Sequence, residues 1–102
     1  MNNLQSQQLV EAIQIWSGRY MSPMPSRSEQ RVLQKYGVEK GIQLMKEIKQ
    51  LEDDFYASDA HITAASLQEM HVQALEAFRN KHTHLDVEIG NILAWCYTYD
   101  YK

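Results

Sequence analysis

The amino-acid sequence predicts an all-α protein: an antiparallel helical bundle of four longer helices plus one short helix, a single domain over residues 1–102. Apolar residues recur at steps of three and four along most of the 102-residue chain, the spacing of one helix face. A 44% apolar fraction with only two prolines and four glycines excludes a disordered or collagen-like chain. No segment before the last few residues alternates polar and apolar positions between turn signals, as a strand does. The length is that of one domain, and the lone Cys96 excludes an internal disulfide or a thiolate zinc cluster.

Leu9, Ile13, Trp16 and Tyr20, widened by Val10, share one face of a first helix from about residue 4 to 20, weakened in its last turn by Ser17-Gly18. Met21 to Ser26 holds both prolines, each disfavouring helix at the residue before it, and reads as a connection within the domain. Ser26 followed by Glu29 fits a capping box for a short second helix, with Val32, Leu33 and Tyr36 inward and Gly37 as its stop. The third helix turns Val38, Ile42, Met45, Ile48, Leu51 and Phe55 inward and Lys40, Gln43, Lys46, Glu47 and Gln50 outward. Gly41 costs about 1 kcal/mol there relative to Ala, which suggests close packing near the turn.

Ser58-Asp59 opens a long fourth helix whose buried stripe is Ile62, Leu67, Met70, Ala74, Leu75 and Phe78, supported by alanines 60, 64, 65, 74 and 77. Thr83, with Asp86 three residues on, reads as the cap of the last helix, whose apolar set is Ile89, Ile92, Leu93, Cys96 and Tyr99.

A net charge of −3 implies neither a polyanion nor a basic nucleic-acid binder. Its placement is uneven. Between positions 27 and 49, six cations (Arg27, Arg31, Lys35, Lys40, Lys46, Lys49) face three carboxylates, so this window holds +3 and the remainder −6. Such polarity suits an acidic partner or a second copy of the chain. No apolar run approaches the roughly 18 residues of a membrane span, and the polar start Met1-Asn2-Asn3-Leu4-Gln5 is unlike a secretory signal, so a cytoplasmic location away from membranes is expected.

For catalysis, the chain offers no G-x-S-x-G, P-loop or G-x-G-x-x-G. His82-Thr83-His84-Leu85-Asp86, extended by Glu88, has ligand types suited to zinc, manganese or iron. Over those five residues the spacing is similar to the metallo-β-lactamase signature, but Val87 stands in place of the next histidine. If Thr83 caps a helix, the side chains diverge. A metal-dependent enzyme using residues 82–88 is thus the third functional reading, and no enzyme, metal or cofactor is expected. His61 and His71 lie too far apart for a paired site and read as partly buried imidazoles bonded to neighbours. Cys96 reads as a small core hydrophobe.

The segment from Ser28 to Gln50 resembles a helix-turn-helix in its charge and its Gly37 turn. Leu33 stands where a small residue is required, however, and Gln43 where a buried aliphatic should be. Nucleic-acid contact by Arg27, Arg31, Lys35 and Lys46 is the second reading.

The leading one rests on the C-terminus, where Trp95, Tyr97, Tyr99 and Tyr101 place four of the ten aromatic residues within the last eight. As a strand they line one side; as a helix Trp95 pairs with Tyr99 and Tyr97 with Tyr101. Tyr and Trp give large amphipathic contact area at low entropic cost. The sequence thus points to a non-enzymatic interaction module of inhibitor, immunity or adaptor type, binding a protein or itself as a homodimer, with Trp16 and Tyr20 extending the surface.

Overall fold

The computed structural model describes residues 3–101. Met1, Asn2 and Lys102, which belong to the N-terminal and C-terminal stretches discussed above, lie outside them. The described residues are all-α: α1 (Asn3–Ser17), α2 (Glu29–Tyr36), α3 (Val38–Tyr56), α4 (Ala60–Thr63), α5 (Leu67–Lys81) and α6 (Val87–Tyr101), with no strand among them. The chain divides into two compact units, one ending at Leu51 and one beginning at Glu52, the division falling inside α3.

In the first unit, α1 buries Leu9, Ala12, Ile13 and Trp16, as its spacing predicts. It ends three residues before the expected Tyr20, which lies exposed beyond it. Gly18, at φ +73°, turns the chain out of the helix, a conformation that side chains with a Cβ disfavour. The last four carbonyls of a helix have no partner within it, and here all four find one. Gln14 O accepts from the N–H groups of Gly18 (3.1 Å) and Arg19 (3.2 Å), and Ser17 O accepts from Ser26 N–H (3.0 Å). Trp16 O accepts from Ser28 N–H at 2.8 Å and from Arg31 Nη2 at 3.1 Å. Arg31 Nε donates to Ile15 O at 2.9 Å, and Nη2 also reaches Ser26 O and, at 3.3 Å, Ser26 Oγ.

This arrangement displaces the expected capping box. Ser26 faces Arg31 rather than α2, and the N-cap is Ser28, in extended conformation and without a side-chain cap bond. α2 stops at Gly37 as expected: φ is +85° and its N–H reaches Leu33 O at 2.9 Å. α3 follows at once. A Cβ on Gly41 would lie 2.6 Å from Leu33 Cδ2 and 2.9 Å from Leu33 Cα, so the two helices meet where only hydrogen fits. That approach sets the rotation of α3. Gly41, Leu44, Met45, Ile48 and Leu51 are buried, and Val38 and Ile42, expected inside, are exposed.

In the second unit the expected long fourth helix is two elements. α4 is a single turn, Ala64 leaves it in extended conformation (ψ 144°), and α5 starts afresh behind Ser66, whose Oγ accepts from Glu69 N–H at 3.1 Å. Glu69 Oε2 accepts from Ala65 N–H at 3.3 Å, completing a near-reciprocal cap. The break leaves Ile62 and Leu67 exposed, and Met70, Ala74 and Phe78 form the buried stripe. α6 packs along α5. Its cap is Asp86, not Thr83: Asp86 Oδ1 accepts from Glu88 N–H at 2.9 Å. α6 buries Ile89, Gly90, Ile92, Leu93, Ala94, Cys96 and Tyr97, so Tyr97 takes the inner position expected of Tyr99.

Two substitutions test the first unit. Gly41→Ala destabilises the fold by about 1–3 kcal/mol in urea titration, because overpacking against Leu33 outweighs the gain in helix propensity of about 1 kcal/mol. Arg31→Ala lowers stability by about 2 kcal/mol, and Arg31→Lys recovers little of it, because a point ammonium cannot serve several carbonyls as the guanidinium fork does.

Candidate interaction surface at the end of α6

The C-terminal aromatics lie on a helix, which rules out the strand arrangement and splits them into two pairs. Tyr97 and Tyr101 turn toward the end of α3 and toward α4. Tyr97 is fully buried, so it is not a surface anchor. Its ring meets Phe55 at 5.4 Å and Tyr56 at 5.1 Å, both edge-on. Its hydroxyl accepts from His61 N–H at 3.0 Å, lies 2.9 Å from His61 Nδ1, and donates to Ser58 O at 3.3 Å. One phenol thereby ties α6 to the one-turn α4 and to the chain that leads into it.

Tyr101 covers this joint. Its ring stacks on the His61 imidazole at 4.2 Å with 16° between planes and lies 4.8 Å from Tyr97. Beside it, Tyr56 Oη donates to Asp100 Oδ2 at 2.5 Å. Tyr101 is nevertheless 41% exposed, and Tyr99, on another side of α6, is 37% exposed. Trp95 is half-buried. The aromatics that reach solvent therefore lie on two sides of α6, Tyr101 with the half-buried His61 on one and Tyr99 with the half-buried Trp95 on another. His61 and Tyr56 have no sequence signal that links them to α6: they lie 36 and 44 positions from their bonding partners Tyr97 and Asp100.

The other expected residues are dispersed. Trp16 is buried and is no contact residue. Tyr20 is exposed in the first unit, its ring 5.9 Å from the Arg19 guanidinium. Of the four cations proposed for nucleic acid, Arg31 is engaged on backbone carbonyls, while Arg27, Lys35 and Lys46 are exposed.

The His82–Glu88 cluster does not converge. His82 Nε2 pairs with Asp54 Oδ2 at 2.9 Å and its ring packs on Phe78 at 4.7 Å. His84 is exposed and Asp86 caps α6. Among the described residues no group of three or more His, Cys, Asp or Glu side chains could hold a metal ion. A shallow cleft of about 210 Å³ lies between the end of α5 and the start of α6, lined by Phe78, Arg79, His82, Leu85, Asp86 and Val87 among others. His71 Nδ1 meets Thr98 Oγ1 at 3.3 Å, and Cys96 is buried. Among the described residues no helix is long and apolar enough to cross a membrane.

Burial pushes the Tyr97 phenol above its usual pKa. Tyr36 is raised further, by burial and then by the Glu11 carboxylate, to which its hydroxyl donates at 2.5 Å. Comparison with protein-family models, with curated proteins and with solved structures finds no match to this chain.

Both phenols hold their protons more tightly folded than unfolded. Their contribution to stability is complete below the unfolded tyrosine pKa of about 10 and is lost as pH rises above it. Urea midpoints therefore hold up to about pH 10 and fall above it, and the fall is shallower in Tyr36→Phe and Tyr97→Phe. At neutral pH Tyr97→Phe lowers stability by about 1–3 kcal/mol, since Ser58 O and His61 N–H lose their partner.

Proposed function

We propose that the chain is a non-enzymatic helical interaction module, of inhibitor, immunity or adaptor type, that binds a protein through the tip of α6. The observation that carries this reading is the state of Tyr101: widely exposed, yet held by stacking on His61 and by the Tyr56–Asp100 bond beside its base. An aromatic side chain already immobilised in the free protein loses little conformational entropy when a partner covers it. Tyr99 and Trp95, on another side of the same helix end, offer phenol and indole groups able to bond at a wet rim. The basic-hairpin reading is weaker by one cation, since Arg31 closes α1.

Affinity capture from the native host, with the tagged chain and with its Tyr99→Ala, Tyr101→Ala variant, tests this reading. The wild type is expected to retain a protein that the variant loses by tenfold or more, about 1.4 kcal/mol or above. Identical captured sets from the two, with helicity unchanged by circular dichroism, would remove the α6 tip as a binding surface.

A further inference from the structure

The aromatic rings of the second unit form one connected chain. Phe78 meets Phe55 at 5.2 Å, Phe55 meets Tyr97 at 5.4 Å, and Tyr97 meets Tyr56 and Tyr101 at 5.1 Å and 4.8 Å. Tyr56 and Tyr101 also approach each other directly, their ring centres 6.1 Å apart. The three phenols of this chain differ in where their protons can go. Tyr56 Oη donates to Asp100 Oδ2 at 2.5 Å, the length of a charge-assisted bond to a carboxylate. Tyr97 donates to Ser58 O, a backbone carbonyl that takes up no proton. Tyr101 is 41% exposed and opens to solvent. A phenol that loses an electron becomes a strong acid, so it is oxidised readily where a base already holds its proton. Tyr56 meets that condition, with Asp100 as the base. Tyr36 meets it too, through Glu11, but its ring belongs to the first unit and to none of these contacts.

We propose that Tyr56, Asp100 and Tyr101 form a site of one-electron oxidation at which two copies of the chain become covalently joined. An outer-sphere one-electron oxidant, a metal complex or an oxyl radical, takes an electron from Tyr56 and is itself reduced. The Tyr56 proton passes to Asp100 Oδ2 in the same step. Tyr101 then returns an electron to Tyr56 across the ring contact; Asp100 gives the proton back, and the Tyr101 proton leaves to water. The Tyr101 phenoxyl couples, ring carbon to ring carbon, with that of a second copy, and both rings regain their hydroxyls by tautomerisation. Each dityrosine thus releases two electrons to two equivalents of oxidant and two protons to water. Tyr56 is half-buried and Tyr97 fully buried, so neither can meet a second chain, whereas Tyr101 can. The site shares Tyr101 with the tip proposed for protein binding but needs no partner protein, so it stands or falls separately from that function.

Illumination of the full chain with a ruthenium tris-bipyridine complex and persulfate, which together generate such an oxidant, tests it. The wild type gives dityrosine fluorescence and a covalent dimer whose linkage maps by mass spectrometry to Tyr101 of both chains. Tyr101→Phe loses the dimer, whereas Tyr99→Phe and Tyr36→Phe keep it. Tyr56→Phe, which retains the ring, and Asp100→Asn each slow dimer formation by about tenfold or more. The amide of Asp100→Asn still accepts the Tyr56 hydrogen bond but cannot take the proton, and Asp100→Glu restores the rate. That contrast separates proton transfer from a purely structural role. A wild-type rate in Tyr56→Phe or in Asp100→Asn, a linkage at any other tyrosine, or no dimer at all would each overturn the proposal.

Discussion

Every helix end leaves backbone groups that the helix itself cannot bond, and in a chain built from helices of 4 to 19 residues those groups govern where the elements stop and how the chain returns. The end of α1 shows how far the solution reaches. Its four terminal carbonyls are met by the turn at Gly18, by the N–H groups of Ser26 and Ser28 on the returning segment, and by the Arg31 guanidinium from the first turn of α2. The proline-containing connection is thus drawn against the helix it leaves, and α2 begins where Arg31 can reach back. The same requirement is met at α5 by Ser66, at α6 by Asp86 and at the entry to α4 by the Tyr97 hydroxyl, which accepts from His61 N–H. Local polar side chains serve two of these four ends; the other two draw on residues distant in sequence.

α6 combines two roles within four residues. Tyr97 is a core residue whose phenol orders α4, and Tyr101, one turn later, is the exposed cover of the same joint. Removing the inner tyrosine therefore disturbs the platform on which the outer one rests. The order of the tip comes from packing inside the second unit, chiefly Phe55, Tyr56 and His61, not from the helix terminus itself.

The all-helical class and the inner faces of α1, α3 and α5 were legible because Leu9, Ile13 and Trp16, then Met45, Ile48, Leu51 and Phe55, then Met70, Ala74 and Phe78 repeat at helical spacing. The end of α1 was not, since Tyr20 continues the stripe and the residue that closes the helix, Arg31, lies 15 or 16 positions beyond the carbonyls it serves. The break before α5 is written in the chain as Ser66 followed by Glu69, but the surrounding alanines favour unbroken helix and mask it. Val38 and Ile42 fit the α3 stripe by spacing alone; the Gly41–Leu33 approach, which turns them outward, depends on the packing of α2. At the candidate surface, the helical pairing of the tyrosines followed from their numbers. Which pair is buried did not, because His61, Ser58 and Tyr56 enter only through tertiary contact.

The Tyr97 hydroxyl has a single proton, and it is given to Ser58 O. Both remaining contacts must then be donors, the His61 backbone N–H and the His61 ring. With that proton on Ser58 O, the imidazole meets the phenol oxygen as an Nδ1–H donor, and Nε2 lies on the far side of the ring. Backbone and ring of one residue thus hold the same phenol oxygen, and the joint under Tyr101 is fastened at both.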